Sequence, residues 1–297
     1  MYFINPYIFA VAGGGGDVGP GTGYALFGGG YTTAGTSATT KYTYVGNTVA
    51  PGTNLTVPRE ALAAVGNATL GLFAGDSTAN LASTDKYTHT GSTVSSGSNL
   101  GAGRGYLVAT GISTRAVMLG GTNAAFRYVD KYTYAGDSVT PGTTLSADWY
   151  SHTGAGNSAV GVFNKSAASL KYTYASDTTA SASILNPSRF MTGATGTDTV
   201  GVFGGGYQNP PNANYANTDR YTYGTDAVAS GTNLTLARRS LAASGNSFVG
   251  VFGGGQEAAA VATTDVYTFS NNAVATGTAL AVPVSVHAAT SSAPGGF

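Results

Sequence analysis

The sequence predicts an all-β protein: a six-bladed β-propeller of four-stranded antiparallel blades, closed by the C-terminal strand pairing in the first blade. Three recurring anchors predict it. The first is a Lys-Tyr-Thr-Tyr type strand at residues 41–44, 86–89, 131–134, 171–174, 220–223 and 266–269. The second is an apolar strand, usually running into glycine, at 24–30, 70–75, 117–121, 160–163, 200–206 and 249–255. The third is Leu-x-x-x-Arg followed by small residues, read as Leu55/Arg59, Leu100/Arg104, Leu145/Trp149, Leu185/Arg189, Leu234/Arg238 and Leu280/Val284. Each anchor occurs six times in one fixed order, and self-similarity at a period of about 40–50 residues marks a ring or solenoid of repeats.

One unit can be laid out from Arg238. Residues 238–244 form a first strand, and Gly245-Asn246 a tight turn, since both residue types tolerate the positive φ that hairpins need. Residues 248–254 form a second strand, and a variable loop closes on Thr264-Asp265. A third strand at 266–269, a turn at Asn271-Asn272 and a fourth strand at 274–280 complete the unit. Four short strands bounded by turn residues are the pattern of a propeller blade, and no stretch keeps a helical period. A lone blade cannot bury both faces; packing blades around an axis does so and leaves only short edges. The first strands carry small residues, such as Ala61, Ala63, Ala64, Ala242 and Ala243, where space near the axis is least. Tyr42 and Tyr44 alternate with Thr43, which sends both rings into one layer between blades.

Closure follows from what is missing at each end. Residues 280–290 read as a first strand with no second strand after it, and residues 24–30 as a second strand with no first strand before it. Pro283 aligns with Pro58, and Ala288-Ala289 with Ala63-Ala64. The C-terminal strand is therefore expected to complete blade 1, in preference to the competing segment 7–12. This divides the chain into an N-terminal arm, residues 1–20, and a propeller, residues 21–297. The arm is apolar, with Phe3, Ile4, Pro6, Tyr7, Ile8 and Phe9. It lacks the basic start of a secretory signal and is expected to be retained. It is also too short to span a bilayer as a helix.

Composition narrows the function. The chain has 297 residues, with 45 Gly and 19 Tyr, and Lys plus Arg equals Asp plus Glu at 13 each. A neutral chain without a basic run has no electrostatic drive toward nucleic acid. The absence of Cys excludes disulfides, thiolate metal sites and a catalytic thiol. No acidic cluster has calcium-loop spacing, and no metal or cofactor is expected. The Gly-Gly-Gly runs at 28–30, 204–206 and 253–255 lack the Lys-Ser/Thr and helix of a phosphate loop.

The three histidines fall in three different units. His89 replaces a repeat Tyr and His287 a repeat Leu, so both read as packing variants; His152, near Trp149, is the better ligand candidate but has no carboxylate partner in reach of the sequence. One reading has Arg59, Arg104, Arg189 and Arg238 converge around the axis as an anion site. The better reading pairs them with Asp85, Asp130, Asp219 and Asp265, which recur just before the third strand, as structural latches. The loop end of the ring gathers Tyr31, Phe126, Arg127, Tyr128, Trp149, Tyr150, Phe190, Tyr207 and Tyr215, because antiparallel alternation opens the loops after second strands and before first strands on one side. Aromatics and Arg at loop tips on a rigid scaffold suit protein or glycan binding.

The order Arg238, Gly253-Gly254-Gly255, then Thr264-Asp265-Val266-Tyr267 resembles the kelch repeat, over residues 24–292, although the usual late Trp is missing and the single Trp is Trp149. The resemblance implies the propeller fold and leaves function open, since kelch propellers bind proteins, bind sugars or act as oxidases. A kelch-type copper oxidase would need a Cys cross-linked to Tyr, and a sialidase its Asp-box turns; neither is present. The compact Val-Gly-Val-Phe-Gly-Gly-Gly and Lys-Tyr-Thr-Tyr variant resembles repeats of bacterial and bacteriophage proteins, virion fibre and tail proteins among them. That implies a non-enzymatic virion component, its arm attached to an assembly subunit and its loop face turned to a host surface protein or glycan. The alternatives are a carbohydrate-active propeller enzyme, for which Asp148 is the only acid near Trp149 and His152, and an intracellular kelch protein-interaction scaffold; the locations other than a virion are bacterial extracellular or cytoplasmic.

Overall fold

The computed structural model of the protein describes residues 23–122, 127–149 and 153–293. These residues form six four-stranded antiparallel sheets and one two-stranded hairpin, with no helix among them. Blade 2 serves as the type: Ala63–Gly66, Leu70–Ala74, Thr84–Thr88 and Thr93–Gly97, in that spatial order. The inner strands of blades 3 to 6 are Val108–Ile112, Thr153–Gly156, Gly193–Gly196 and Ala242–Gly245. That of blade 1 is Ala288–Ser291, which pairs antiparallel with Tyr24–Gly28 in the register Phe27↔Ala289. The C-terminal strand thus fills the inner place of blade 1. Each inner strand touches the next in a closed circuit of six.

Strand alternation explains why the blades cohere. Successive residues of a strand point to opposite faces, so each second strand feeds two interfaces. Leu72 packs toward blade 3 and Phe73 toward blade 1; Val251 packs toward blade 1 and Phe252 toward blade 5. Six apolar clusters result, one per junction. Burying a Leu, Val or Phe contributes roughly 1.5–3 kcal/mol, and the repetition of this layer is what a single blade lacks. The blades approach so closely that a Cβ on Gly204 would lie 2.8 Å from the Phe252 ring.

The third-strand tyrosines Tyr42, Tyr87, Tyr132, Tyr172, Tyr221 and Tyr267 are all buried. Their alternating partners lie beside them, as in Tyr132–Tyr134 at 6.0 Å and Tyr221–Tyr223 at 5.6 Å between centroids. A buried hydroxyl needs a partner, and five of the six find it five residues on. Tyr42, Tyr132, Tyr172, Tyr221 and Tyr267 donate to Asn47, Asp137, Asp177, Asp226 and Asn272. Those turn residues also accept from the preceding blade: Ser98 N to Asp137 Oδ1 at 2.8 Å and Thr143 N to Asp177 Oδ1 at 3.0 Å. The rim is therefore clasped blade to blade.

The inner strands begin later than the sequence suggests. The expected first strand at 238–244 starts only at Ala242. Ser240 intervenes with a left-handed backbone, as do Ala61, Tyr106, Met191 and Val286 at the matching positions, with φ between 46° and 59°. That conformation costs a non-glycine residue energy and is held here by a chain of backbone bonds around the axis. Ser240 N donates to Met191 O, Val286 N to Ser240 O, Ala61 N to Val286 O and Tyr106 N to Ala61 O, at 2.7–3.0 Å.

Candidate binding face and axial channel

The axis is a channel with a cavity volume of about 100 Å³, walled by small residues such as Ala64, Ala109, Ala155, Ala194, Ala243 and Ala289. No Asp, Glu, Lys or Arg is among the described residues lining it. The four repeat arginines do not converge there, because the left-handed residue two positions after each one turns the chain before the inner strand begins. Their side chains are fully buried within the blades, and each meets its aspartate. Arg59–Asp85 lie at 3.0 Å, Arg104–Asp130 at 2.7 Å, Arg189–Asp219 at 2.6 Å and Arg238–Asp265 at 2.7 Å. The latch reading holds, and the axial anion site does not. Arg238 also donates from Nε to Gly254 O at 2.8 Å and from Nη2 to Phe252 O at 3.2 Å, so the guanidinium ties the crossing segment to the end of the second strand. Burial pulls the Arg189 and Arg238 pKa values down and pushes that of Asp219 up, with attraction inside each pair opposing it.

The two described histidines, His89 and His287, occupy different junctions. His89 sits against Tyr24 and Tyr87 between blades 1 and 2, with Tyr24 Oη 3.1 Å from its Nδ1. Burial, followed by the nearby Lys41 charge, lowers its pKa to about 4. His287 packs on Phe27, at 5.7 Å between centroids, and against Gly254, in the place where blades 2, 3 and 6 carry Leu62, Leu107 and Leu241. Burial lowers its pKa to about 3. His152 lies outside the described residues.

The loop residues named from sequence divide into three groups. Tyr31 and Tyr128 are exposed, and Arg127 pairs with Asp148 at 2.7 Å in solvent. Tyr31 is fixed by a two-way backbone bridge to Ser285. Trp149, expected on the binding face, is instead buried with Leu145, Phe163 and Leu170. It fills the position of a latch arginine, and Leu170 fills that of the aspartate, so an apolar pair replaces an ionic one. Phe126, Tyr150 and the arm residues Phe3, Ile4, Pro6, Tyr7, Ile8 and Phe9 lie outside the described residues.

The third group is brought together by a hairpin the sequence showed only as a long insertion. Tyr207–Gln208 pairs with Ala213–Asn214 above blade 5. Phe190 meets Tyr207 edge to face at 5.6 Å, with mutual backbone bonds between the two residues. The Arg239 guanidinium lies 4.9 Å from the Tyr207 ring centroid and donates to Asn214 Oδ1 at 3.0 Å. Tyr215 Oη donates to Gln208 Oε1 at 2.7 Å. Phe190, Tyr207, Tyr215 and Arg239 are half-buried. Sequence reasoning missed Arg239, which follows a latch arginine directly and points to the opposite side of the segment.

No protein family matches this chain, and no curated protein matches it. Among solved structures the chain is similar to a fungal alcohol oxidase of the AA5 family in complex with copper, at 15% identity and a TM-score of 0.58. The match covers 87% of this chain and 63% of the oxidase, and at that identity it speaks for the fold alone. The residues here do not suit copper of that kind: the chain has no Cys, the two described histidines belong to different junctions, and no three His, Asp or Glu side chains gather among the described residues.

Proposed function

We propose that the protein is a non-enzymatic binding and structural module, a kelch-like ring within a larger particle of the bacteriophage virion type, whose loop face engages a host surface protein or glycan. The cluster of Phe190, Tyr207, Tyr215 and Arg239 carries this reading. Aromatic rings and an arginine, held in one geometry by their own hydrogen bonds, lose little freedom when a partner arrives. Such residues also dominate binding hot spots. The topology supports a two-ended use: the second strand of blade 1 runs from Tyr24 toward Tyr31, so Gly23 and its neighbour Ala293 lie at the ring end opposite the loop face. An anchor near the termini would leave the loops free.

The test is binding to immobilised bacterial surface glycans and to intact bacterial cells, with Tyr215→Ala and Arg239→Ala beside the parent protein. The expected result is a tenfold or greater loss of retention with an unchanged melting temperature. Release of sugar by the parent protein, or variants that bind as it does, would overturn the reading.

A further inference from the structure

The six blade junctions differ at the rim. At four of them a lysine of one third strand reaches the turn of the next blade: Lys41 to Ser92, Lys86 to Asp137, Lys131 to Asp177 at 2.6 Å and Lys171 to Asp226 at 3.7 Å. The junction of blades 5 and 6 has Arg220 in the same place. The junction of blades 6 and 1 has Val266, and the turn residue opposite is neutral Asn47, already engaged by Tyr42 and by Thr278 N at 2.8 Å. Beside Val266 lies a partly open cavity of about 200 Å³, walled by Tyr42, Tyr44, Val249, Val251 and Ala275. It is an apolar wedge with hydroxyl groups at its edge.

The chain itself points to the occupant. Gly23 O accepts from Tyr44 N at 3.3 Å, so Gly23, to which residues 1–22 are joined, lies beside a wall of the cavity. Residues 3–9 read Phe-Ile-Asn-Pro-Tyr-Ile-Phe, and between them and Gly23 lie the glycines 13–16, 19 and 21. Thirteen residues lie between Phe9 and Gly23, and the fourteen steps from one to the other reach about 46 Å when extended. Docking of that segment on its own ring is intramolecular and needs no second chain.

We propose that the wedge between blades 6 and 1 is a socket for the chain's own N-terminal segment, residues 3–9, with one of its aromatic rings seated between Tyr44 and Val266. The segment would fill the junction that has Val266 in place of a cation, beside blade 1, where Gly23 and Ala293 are neighbours. A partner subunit that recruits the arm must then draw it out of this socket. This inference does not depend on the proposed binding role of the loop face.

The experiment compares melting temperatures with and without residues 2–20, in the parent protein and in Val266→Phe, which fills the wedge; Val266→Lys, the residue of four other blades, serves should the Phe variant not fold. Deletion is expected to lower the parent's melting temperature by about 2–4 °C, and to have no effect in the filled variant. The shift should also stay constant across a wide range of protein concentration. Three results would overturn the proposal: no shift in the parent, the same shift in both backgrounds, or a shift that grows with concentration, which would place a second copy's arm in the wedge.

Discussion

Blades 2, 3, 5 and 6 hold a buried Arg–Asp latch; blades 1 and 4, which face each other across the ring, do not. Blade 4 has Trp149 and Leu170, blade 1 has Val284 and Thr40, and the register is the same throughout: Phe163 opposes Leu170 and Phe27 opposes Thr40, as Phe252 opposes Asp265. The backbone is indifferent to the exchange. Gly255 N donates to Val284 O and Gly121 N to Trp149 O at 2.8 Å, as Gly206 N does to Arg238 O. The fold therefore requires a filled site and a carbonyl at this position, and no charge as such. Both partners must change together, because a buried ion stripped of its counter-ion costs far more than the pair contributes over an apolar replacement. The direction of the shifts at Arg189, Arg238 and Asp219, all set first by burial, agrees with that.

The comparison can be broken most forcefully by splitting a latch. Asp265→Ala leaves the Arg238 guanidinium buried without its anion, and is expected to cost about 3–5 kcal/mol in denaturant unfolding. The reverse intrusion, Leu170→Asp, places a carboxylate against Trp149 with no cation and should destabilise blade 4 by a similar amount.

A second effect belongs to blade 1. His287 stands where latched blades 2, 3 and 6 have Leu, and its folded pKa of about 3 lies below the ordinary 6.5. A base with a lowered folded pKa gives stability that is complete above its unfolded pKa and is lost as pH falls. Stability should therefore decline between about pH 6.5 and 3, by up to ~1.4 kcal/mol per pH unit. His287→Leu should flatten that limb. An unchanged pH profile in the variant would locate the acid sensitivity elsewhere.

The smallest effect lies at the rim. Asp137 has its pKa lowered to about 2, foremost by the hydrogen bond from Lys86 and then by that from Tyr132. Its stabilisation is present above the ordinary carboxylate range and fades as pH falls toward 2. The pair is half-exposed and screened, so Lys86→Met should cost under about 1 kcal/mol, and the difference should shrink in high salt.

The repeat made much of this legible in advance. Six copies of the Tyr strand, of the Leu segment that carries Arg in four of them, and of the apolar strand that runs into glycine in five of them named the blades, and a first strand without a successor named the closure. The Arg–Asp latches were legible because both partners recur at fixed places. Trp149 was misjudged because its meaning rests on Leu170, 21 residues away, whose departure from Asp shows only once the two strands are in register. The later start of the inner strands escaped because a left-handed Ser240 or Val286 has no compositional mark; glycine would have announced it. The Tyr-to-turn bonds had a signal, an Asn or Asp five residues after five of the six tyrosines, that could have been found. The site itself was half legible: Tyr207 and Tyr215 fell in an obvious insertion, whereas their contacts with Phe190 and Arg239 join segments that only the folded chain brings together.

The most direct measurement is denaturant unfolding of Arg238→Trp with Asp265→Leu, which writes the blade 4 pair into blade 6, beside each single change. The double variant should unfold within about 1 kcal/mol of the parent or above it, while each single change loses about 3–5 kcal/mol. A double variant as unstable as the sum of its singles would show that charge, and not a filled and balanced site, is what this position of the ring demands.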